Sequence, residues 1–447
     1  MAATMVGLAE AGKGGYRRVA RMAGALAGLA LLAACASSPK VTVPPPQAQV
    51  PPPVAAPPPV QAQRVVPNDG KVRVALLVPL SGRAATVGQG ILDAAQMAVF
   101  DLADDKFELM PRDTKGTPEG AAAAARDALD GGAKLVLGPL FGVEAQAVKP
   151  VAAAAGVPVL TFSNDWNLAG GGTWVMGFLP QQQVTRVARY AQSQGLTTFG
   201  LVAPATPYGE AVRQALAAAV RQGGQVTKSE RYSPGQGDMT EMVKRLSDFE
   251  ARRQAMIREK ARLQAAGDEE SKAALRRLGN QETFGDPPFQ AVMIAEGGQQ
   301  LRALAPLFPF FDIDPGPVRF LGTGLWDEPG VGREPALAGG WYAAPDPSSR
   351  QEFERRYQDL YGSKPPRLAT LGYDAAAMAG ALAKAARGGD PFPVTRMTDP
   401  AGFAGADGIF RLRADGLVER GLAVIEVTRD GSTVIDPAPQ SFEAAGS

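Results

Sequence analysis

The chain has 447 residues, 45% of them hydrophobic, with no histidine, one cysteine and a formal net charge of +1. The missing histidine removes the commonest general base and metal ligand and every Ser-His-Asp or Cys-His arrangement, so an enzyme here would have to run on carboxylates, lysine or tyrosine. The near-zero charge offers no basic surplus to nucleic acid, and the length allows two domains of about 150 residues each. We therefore expect no catalytic residue, no metal site, no cofactor and no nucleic-acid partner.

Residues 1–34 read as a secretory signal. Lys13, Arg17, Arg18 and Arg21 precede an apolar run from Met22 to Ala34. That run is too short to span a bilayer, which needs about 20 apolar residues. It closes on Leu32-Ala33-Ala34-Cys35, which resembles the lipobox of bacterial lipoproteins. The resemblance implies that Cys35 is acylated and serves as the membrane anchor. Ala36 after it, by resemblance to lipoprotein sorting signals, favours the outer membrane over the inner. Residues 35–70 then form a tether with Pro44-Pro45-Pro46, Pro51-Pro52-Pro53 and Pro57-Pro58-Pro59. Extended at about 3.1 Å per residue it would reach up to roughly 100 Å, either as a spacer or as a linker of no required length.

Folding is predicted to begin at Lys71. Val72–Leu80 is a buried-strand run, and strands at Phe107–Met110, Lys134–Leu137 and Val157–Phe162 alternate with helices at Gly90–Leu102, Pro118–Leu129 and Glu144–Ala155. Apolar strands alternating with helices argue for a parallel sheet covered on both faces. The pattern then restarts. Helices are predicted at Gln183–Gln194, Tyr208–Gln222 and Gln299–Phe308, with strands at Thr198–Ala203, Gln225–Tyr232, Ala291–Ala295 and Val318–Gly322. The fold class is thus α/β with two lobes: 71–180 plus 342–395, and 181–341 plus 396–440. In this reading Tyr342 opens the return to the first lobe. Gly408–Arg413 and Leu422–Thr428 form a closing hairpin of the second, turning through Ala414-Asp415-Gly416.

A charged insertion occupies 237–286. Met242, Leu246, Phe249, Met256 and Leu263 make one narrow apolar stripe on it, with Arg253 and Lys260 in the skipped seats. Ala265–Asp268 reads as a turn and Ser271–Leu278 as a returning helix. The stripe either docks a partner protein or closes on its own hairpin.

The order of motifs carries a family resemblance. Val74-Ala75-Leu76-Leu77-Val78-Pro79-Leu80-Ser81-Gly82, Gly88-Gln89-Gly90, Leu137-Gly138-Pro139 and Pro207-Tyr208-Gly209-Glu210 together resemble the leucine/isoleucine/valine-binding branch of the type I periplasmic-binding fold. This implies two α/β lobes, each a mainly parallel sheet flanked by helices, joined by three crossovers around a cleft. The lipobox, tether and insertion look most like the penicillin-binding protein activators, lipoproteins that stimulate peptidoglycan synthases.

Loops at the carboxyl ends of strands should line the cleft, which makes Ser81, Leu140, Phe141, Ser163, Asn164, Trp166, Tyr208, Glu296, Trp326 and Asp327 the ligand candidates. Ser163 and Asn164 could equally cap a strand end, the tryptophans and Phe141 could pack between lobes, and Tyr208 could fix a helix start. Amino-acid-binding relatives hold the substrate carboxylate with hydroxyls after the Gly138-Pro139 position. Here that loop is Leu140-Phe141-Gly142-Val143, and only Asp327 is offered to an ammonium. The expected function is a non-enzymatic envelope lipoprotein that binds and regulates a peptidoglycan synthase. The alternative is a solute-binding component of an ABC transporter for branched-chain or related amino acids, with a small amino-acid-like ligand in the cleft.

Overall fold

The computed structural model describes residues 69–235, 239–386 and 388–442. The signal segment, Cys35, the tether as far as residue 68 and the opening of the insertion at 236–238 lie outside the described residues. No described helix is long and apolar enough to cross a membrane.

In the first lobe, β1 (Val72–Val78), β2 (Phe107–Asp113), β3 (Ala133–Leu137), β4 (Val159–Thr161) and β5 (Thr173–Val175) form a parallel sheet in the order β2-β1-β3-β4-β5. Helices α1 (Ala85–Leu102), α2 (Pro118–Asp130) and α3 (Gly142–Ala155) connect them. Alternation along β1 divides its side chains: Val74, Leu76 and Val78 join the core beneath α1, whereas Ala75 and Leu77 join the core beneath α2 and α3. Burial on both faces is why β1 reads as an unbroken apolar run. The start of α2 is set locally, by Pro118 in its first turn and by the Thr117 hydroxyl accepting the Gly120 N–H at 3.1 Å.

The second lobe opens with α4 (Pro180–Ser193), β6 (Thr198–Pro204), α5 (Pro207–Val220) and β7 (Gln225–Tyr232). The insertion follows as α6 (Thr240–Leu246), α7 (Phe249–Ala266) and α8 (Glu269–Leu278). Then come β8 (Ala291–Ile294), α9 (Gly298–Leu304), α10 (Leu307–Phe310), β9 (Arg319–Gly322) and β10 (Trp341–Ala344). The chain returns to the first lobe through α11 (Pro347–Tyr361), α12 (Ala369–Ala385), a short α13 (Val394–Met397) and a small antiparallel sheet, β11 (Phe403–Gly405), β12 (Gly408–Leu412) and β13 (Val418–Arg420). It ends in the second lobe with β14 (Ala423–Thr428) and β15 (Gly431–Asp436), giving a sheet in the order β15-β14-β10-β9-β8-β6-β7 with β14 and β15 antiparallel. The backbone therefore passes between lobes after β5, after β10 and after β13.

Three expectations are corrected. Tyr342 is 1% exposed inside β10, so the return to the first lobe starts after Ala344. The strand Gly408–Leu412 turns through Ala414-Asp415-Gly416 into Val418–Arg420, not into Leu422–Thr428. That meander sits in the first lobe, because Phe410, Leu412 and Val418 complete the core over β1 and α12. Gly421 ends it, and β14 pairs with β10 instead.

The third correction concerns the apolar stripe. Met242, Leu246 and Phe249 lie in the second-lobe core with Phe308 and Phe311, and Phe249 meets Phe311 edge-on at 5.2 Å between ring centroids. Met256 and Leu263 are 2% and 6% exposed on the helix that α8 folds back along. Gly267, at φ +64°, makes the reversal, and the Asp268 carboxylate caps α8 by accepting the Ser271 N–H at 2.6 Å. The stripe is consumed internally, since an apolar side chain already withdrawn from water has nothing left to gain from a partner. These five residues are not a docking surface.

Candidate functional site: a cleft between the lobes

A cavity of about 430 Å³ opens between the two lobes. The first lobe supplies Ala84 and Val87 from the start of α1, Leu140, Phe141 and Gly142 from the start of α3, and Phe162, Ser163 and Asn164 after β4. Phe178 comes from the first crossover, and Arg367 and Leu368 from the lead into α12. The second lobe supplies Gln183 from α4, Tyr208 from α5 and Gly324, Leu325 and Asp327 from the loop after β9, with Ala344 and Pro345 on the second crossover. Every strand feeding this cavity ends there, as the carboxyl ends of a parallel sheet should.

Of the candidates read from sequence, Leu140, Phe141, Ser163, Asn164, Tyr208 and Asp327 line the cavity; Ser81, Trp166, Glu296 and Trp326 do not. The Ser81 hydroxyl donates to Asp113 at 2.6 Å, and the same carboxylate accepts the Leu80 and Lys115 N–H groups at 2.8 Å each. Burial works against ionisation of Asp113, but these bonds prevail and hold its carboxyl below the usual range. Trp166 lines a separate cavity with Leu179, Arg413 and Leu417. Trp326 is fully buried under the cleft floor, its Nε1–H donating to the Glu296 carbonyl at 3.0 Å. Glu296 itself is half-buried and accepts the Tyr232 O–H, and burial pushes its carboxyl above the usual range.

The polar groups on the cavity wall are held in place. The Tyr208 hydroxyl is 2.7 Å from the Thr323 hydroxyl, and burial, with Glu296 nearby, pushes it well above the usual phenol range. The tyrosine is therefore a neutral hydrogen-bonding group. Gln183, only 7% exposed, accepts the Gly324 N–H at 3.0 Å through Oε1. The Ser163 hydroxyl accepts the Asp165 N–H at 3.0 Å. Asn164 is exposed at the cavity mouth, and no described protein group bonds to its side chain.

Asp327 already holds two cations. Its carboxylate pairs with Arg350 at 3.1 Å and with Arg367 at 3.4 Å. Arg367 also pairs at 3.1 Å with Asp407, whose side chain is fully buried, and its guanidinium lies 4.5 Å over the Phe178 ring. Among the described residues no group of three or more Cys, Asp or Glu could hold a metal ion.

Residues 71–432, spanning both lobes and all three crossovers, match the periplasmic binding protein family. The chain belongs to that family. One curated relative, an uncharacterized protein of Rickettsia prowazekii, is 28% identical over 121 residues, covering 27% of this chain and 32% of the relative. The chain thus spans about a third of that relative's length. Solved structures of the same fold include a putative branched-chain amino acid ABC transporter protein from Rhodospirillum rubrum, 18% identical, with a TM-score of 0.64 over 82% of this chain and 100% of that one. A solute binding protein from R. palustris in complex with benzoate is 17% identical, with a TM-score of 0.56 over 83% and 98%. A leucine binding protein from Thermotoga maritima is 18% identical, with a TM-score of 0.54 over 81% and 97%.

Within this binding-protein cleft, several of the residues that sequence reasoning missed are delivered by crossovers and by distant segments. Phe178 follows β5 on the first crossover, Gln183 sits one turn into α4, and Arg367 follows Pro365-Pro366. The Phe178-Leu179-Pro180 step, a proline opening a helix, was the one local signal that could have marked the first of them. The arrangement can enclose a small molecule between an aromatic wall and a few fixed hydrogen-bonding groups.

Proposed function

We propose that this protein is a non-enzymatic periplasmic receptor that captures a small solute by closing its lobes, in the manner of the solute-binding component of an ABC transporter. The observation that carries the reading is the cavity itself, walled from both lobes and bordered by two of the three crossovers. The small ligands of the structural neighbours, leucine and benzoate among them, support a small-solute reading. Regulation of a peptidoglycan synthase loses the hairpin stripe as a contact surface, because that stripe is internal, and keeps only the cleft rim.

The test is a thermal-shift screen of the full chain against amino acids, aromatic acids and amides, and sugars. A solute present at 100 times its Kd stabilises by about 2.7 kcal/mol and raises Tm by several degrees. A hit should be accompanied by a smaller radius of gyration in solution scattering. Silence across the panel, with pull-down of a wall synthase, would return the regulator reading to the front. Anchoring through Cys35 belongs to the same proposal: a palmitate analogue should label the wild-type protein and not Cys35→Ala.

A further inference from the structure

We propose, resting on the solute-binding reading, that the cleft selects an uncharged, ring-bearing solute with an amide- or hydroxyl-type polar group, rather than an amino acid. Among the described residues, the only two charged side chains on the cavity wall, Asp327 and Arg367, are already paired with each other, and each holds a further partner of opposite sign, Arg350 and Asp407. Asp327, Arg350 and Asp407 are largely shielded, with 11%, 13% and none of their side chains exposed, while 32% of the Arg367 side chain is. A ligand ammonium would have to share Asp327 with two arginines, and a ligand carboxylate would have to share Arg367 with two aspartates, so neither would meet a full counter-charge. A desolvated charge whose counter-charge is already spent is unfavourable.

The remaining wall is neutral and rich in rings. Phe141, Phe162, Phe178 and Tyr208 line the cavity from four different segments, together with Leu140 and Leu325. A planar ring gains most in such a site, through burial and offset or edge contacts. The neutral polar groups offer donors and acceptors in the same space: the Asn164 amide, and the Gln183 amide nitrogen, whose oxygen is spent on Gly324. The Gln183 side chain is held in place, only 7% exposed, and its amide nitrogen has no described protein partner, so it can donate to an acceptor in the cavity. An uncharged amide or hydroxyl on a ring supplies one without adding a net charge.

The experiment is titration calorimetry of the full chain with four probes that share one ring and differ in charge: benzamide, benzoate, benzylamine and phenylalanine. Benzamide is expected to bind at least tenfold more tightly than the other three, and Asn164→Ala and Gln183→Ala to weaken it about tenfold. Asp327→Asn removes one of the two aspartates on Arg367 and is expected to raise benzoate affinity at least tenfold, a gain that a merely structural role for Asp327 would not produce. Benzoate, benzylamine or phenylalanine binding to the wild type as tightly as benzamide overturns the selection, as does failure to bind benzamide at all. Silence toward the whole solute panel as well overturns the solute-binding reading beneath it.

Discussion

Asp327 of the second lobe and Arg367 of the first stand 3.4 Å apart beside the cleft, so an ion pair ties the two lobes together where a ligand would enter. Arg350 at 3.1 Å from Asp327, and Asp407 at 3.1 Å from Arg367, extend the tie into α11 and the turn between β11 and β12. The same pairs therefore fix the lobe arrangement and cancel the charge of the site. A lobe opening wide would have to break them.

Asp327→Asn should destabilise the protein by about 2 kcal/mol. Removing one partner of a buried pair costs about 3–5 kcal/mol when the other is stranded, but here Arg350 keeps Glu354 at 2.7 Å and Arg367 keeps Asp407. Urea unfolding measures the loss, and a double-mutant cycle with Arg350→Met isolates the pair. A loss below about 0.5 kcal/mol would mean that the pair behaves as a surface contact.

The insertion is two units in energetic terms. Phe249→Ala empties a place in the second-lobe core beside Phe311, which should cost about 3–4 kcal/mol of global stability. Leu263→Ala lies at the far end of α7 and should loosen only the hairpin. Hydrogen exchange separates the two: faster exchange confined to α7 and α8 is expected for Leu263→Ala, and a lower urea midpoint for the whole protein for Phe249→Ala. For the same reason, replacing 254–280 by a short glycine linker should leave the lobes folded, whereas removing 240–286 should not.

The lobes were legible in the sequence because a strand covered on both faces carries its own signature. β1, β3 and β6 are short apolar runs with helical patterns on either side, and no distant information is needed to place them. The stripe from Met242 to Leu263 was equally legible as a pattern, but pattern alone does not say what covers it; Phe308 and Phe311, which cover part of it, come from α10 and the loop just beyond. The site was half legible. Phe141, Asn164 and Tyr208 sit at strand-to-helix loops and follow from fold topology. The ion pairs around Asp327 involve Arg350, Arg367 and, through Arg367, Asp407, which are remote in sequence and come together only because β10 hands the chain back to the first lobe. Glu296 and Trp326 follow strands as the lining residues do, yet they turn inward to bond each other.

Glu296→Gln should raise stability at pH 7 and leave it unchanged at pH 4. Burial raises the folded-state pKa of Glu296, so the folded protein holds that proton more tightly than the unfolded chain does. Below the unfolded value both states are protonated and there is no penalty. As pH rises past it, ionisation inside the fold becomes unfavourable and stability is lost. Glutamine keeps an acceptor for the Tyr232 O–H without the charge. Thermal unfolding of the two proteins at pH 4 and pH 7 should show a Tm gain of roughly 2 °C at the higher pH only. A gain that is equal at both pH values would assign the effect to packing.

Gly322→Ala should damage the protein although it adds a single methyl group. A Cβ at this position would stand 2.2 Å from the Trp326 ring, which is fully buried and pinned by its bond to the Glu296 carbonyl. Gly340 also lies against this ring, since a Cβ there would stand only 2.8 Å from it, and the fully buried indole is closely surrounded. Overpacking of this kind costs about 1–3 kcal/mol, and the upper end is expected here because ring and backbone are both fixed. Gly324 and Leu325 follow directly and line the cavity, so relief by shifting the loop would deform the cleft floor. The variant should therefore lose Tm and, at temperatures where it stays folded, bind benzamide more weakly than the wild type. Lowered stability with unchanged binding would show that Trp326 supports the lobe and not the site.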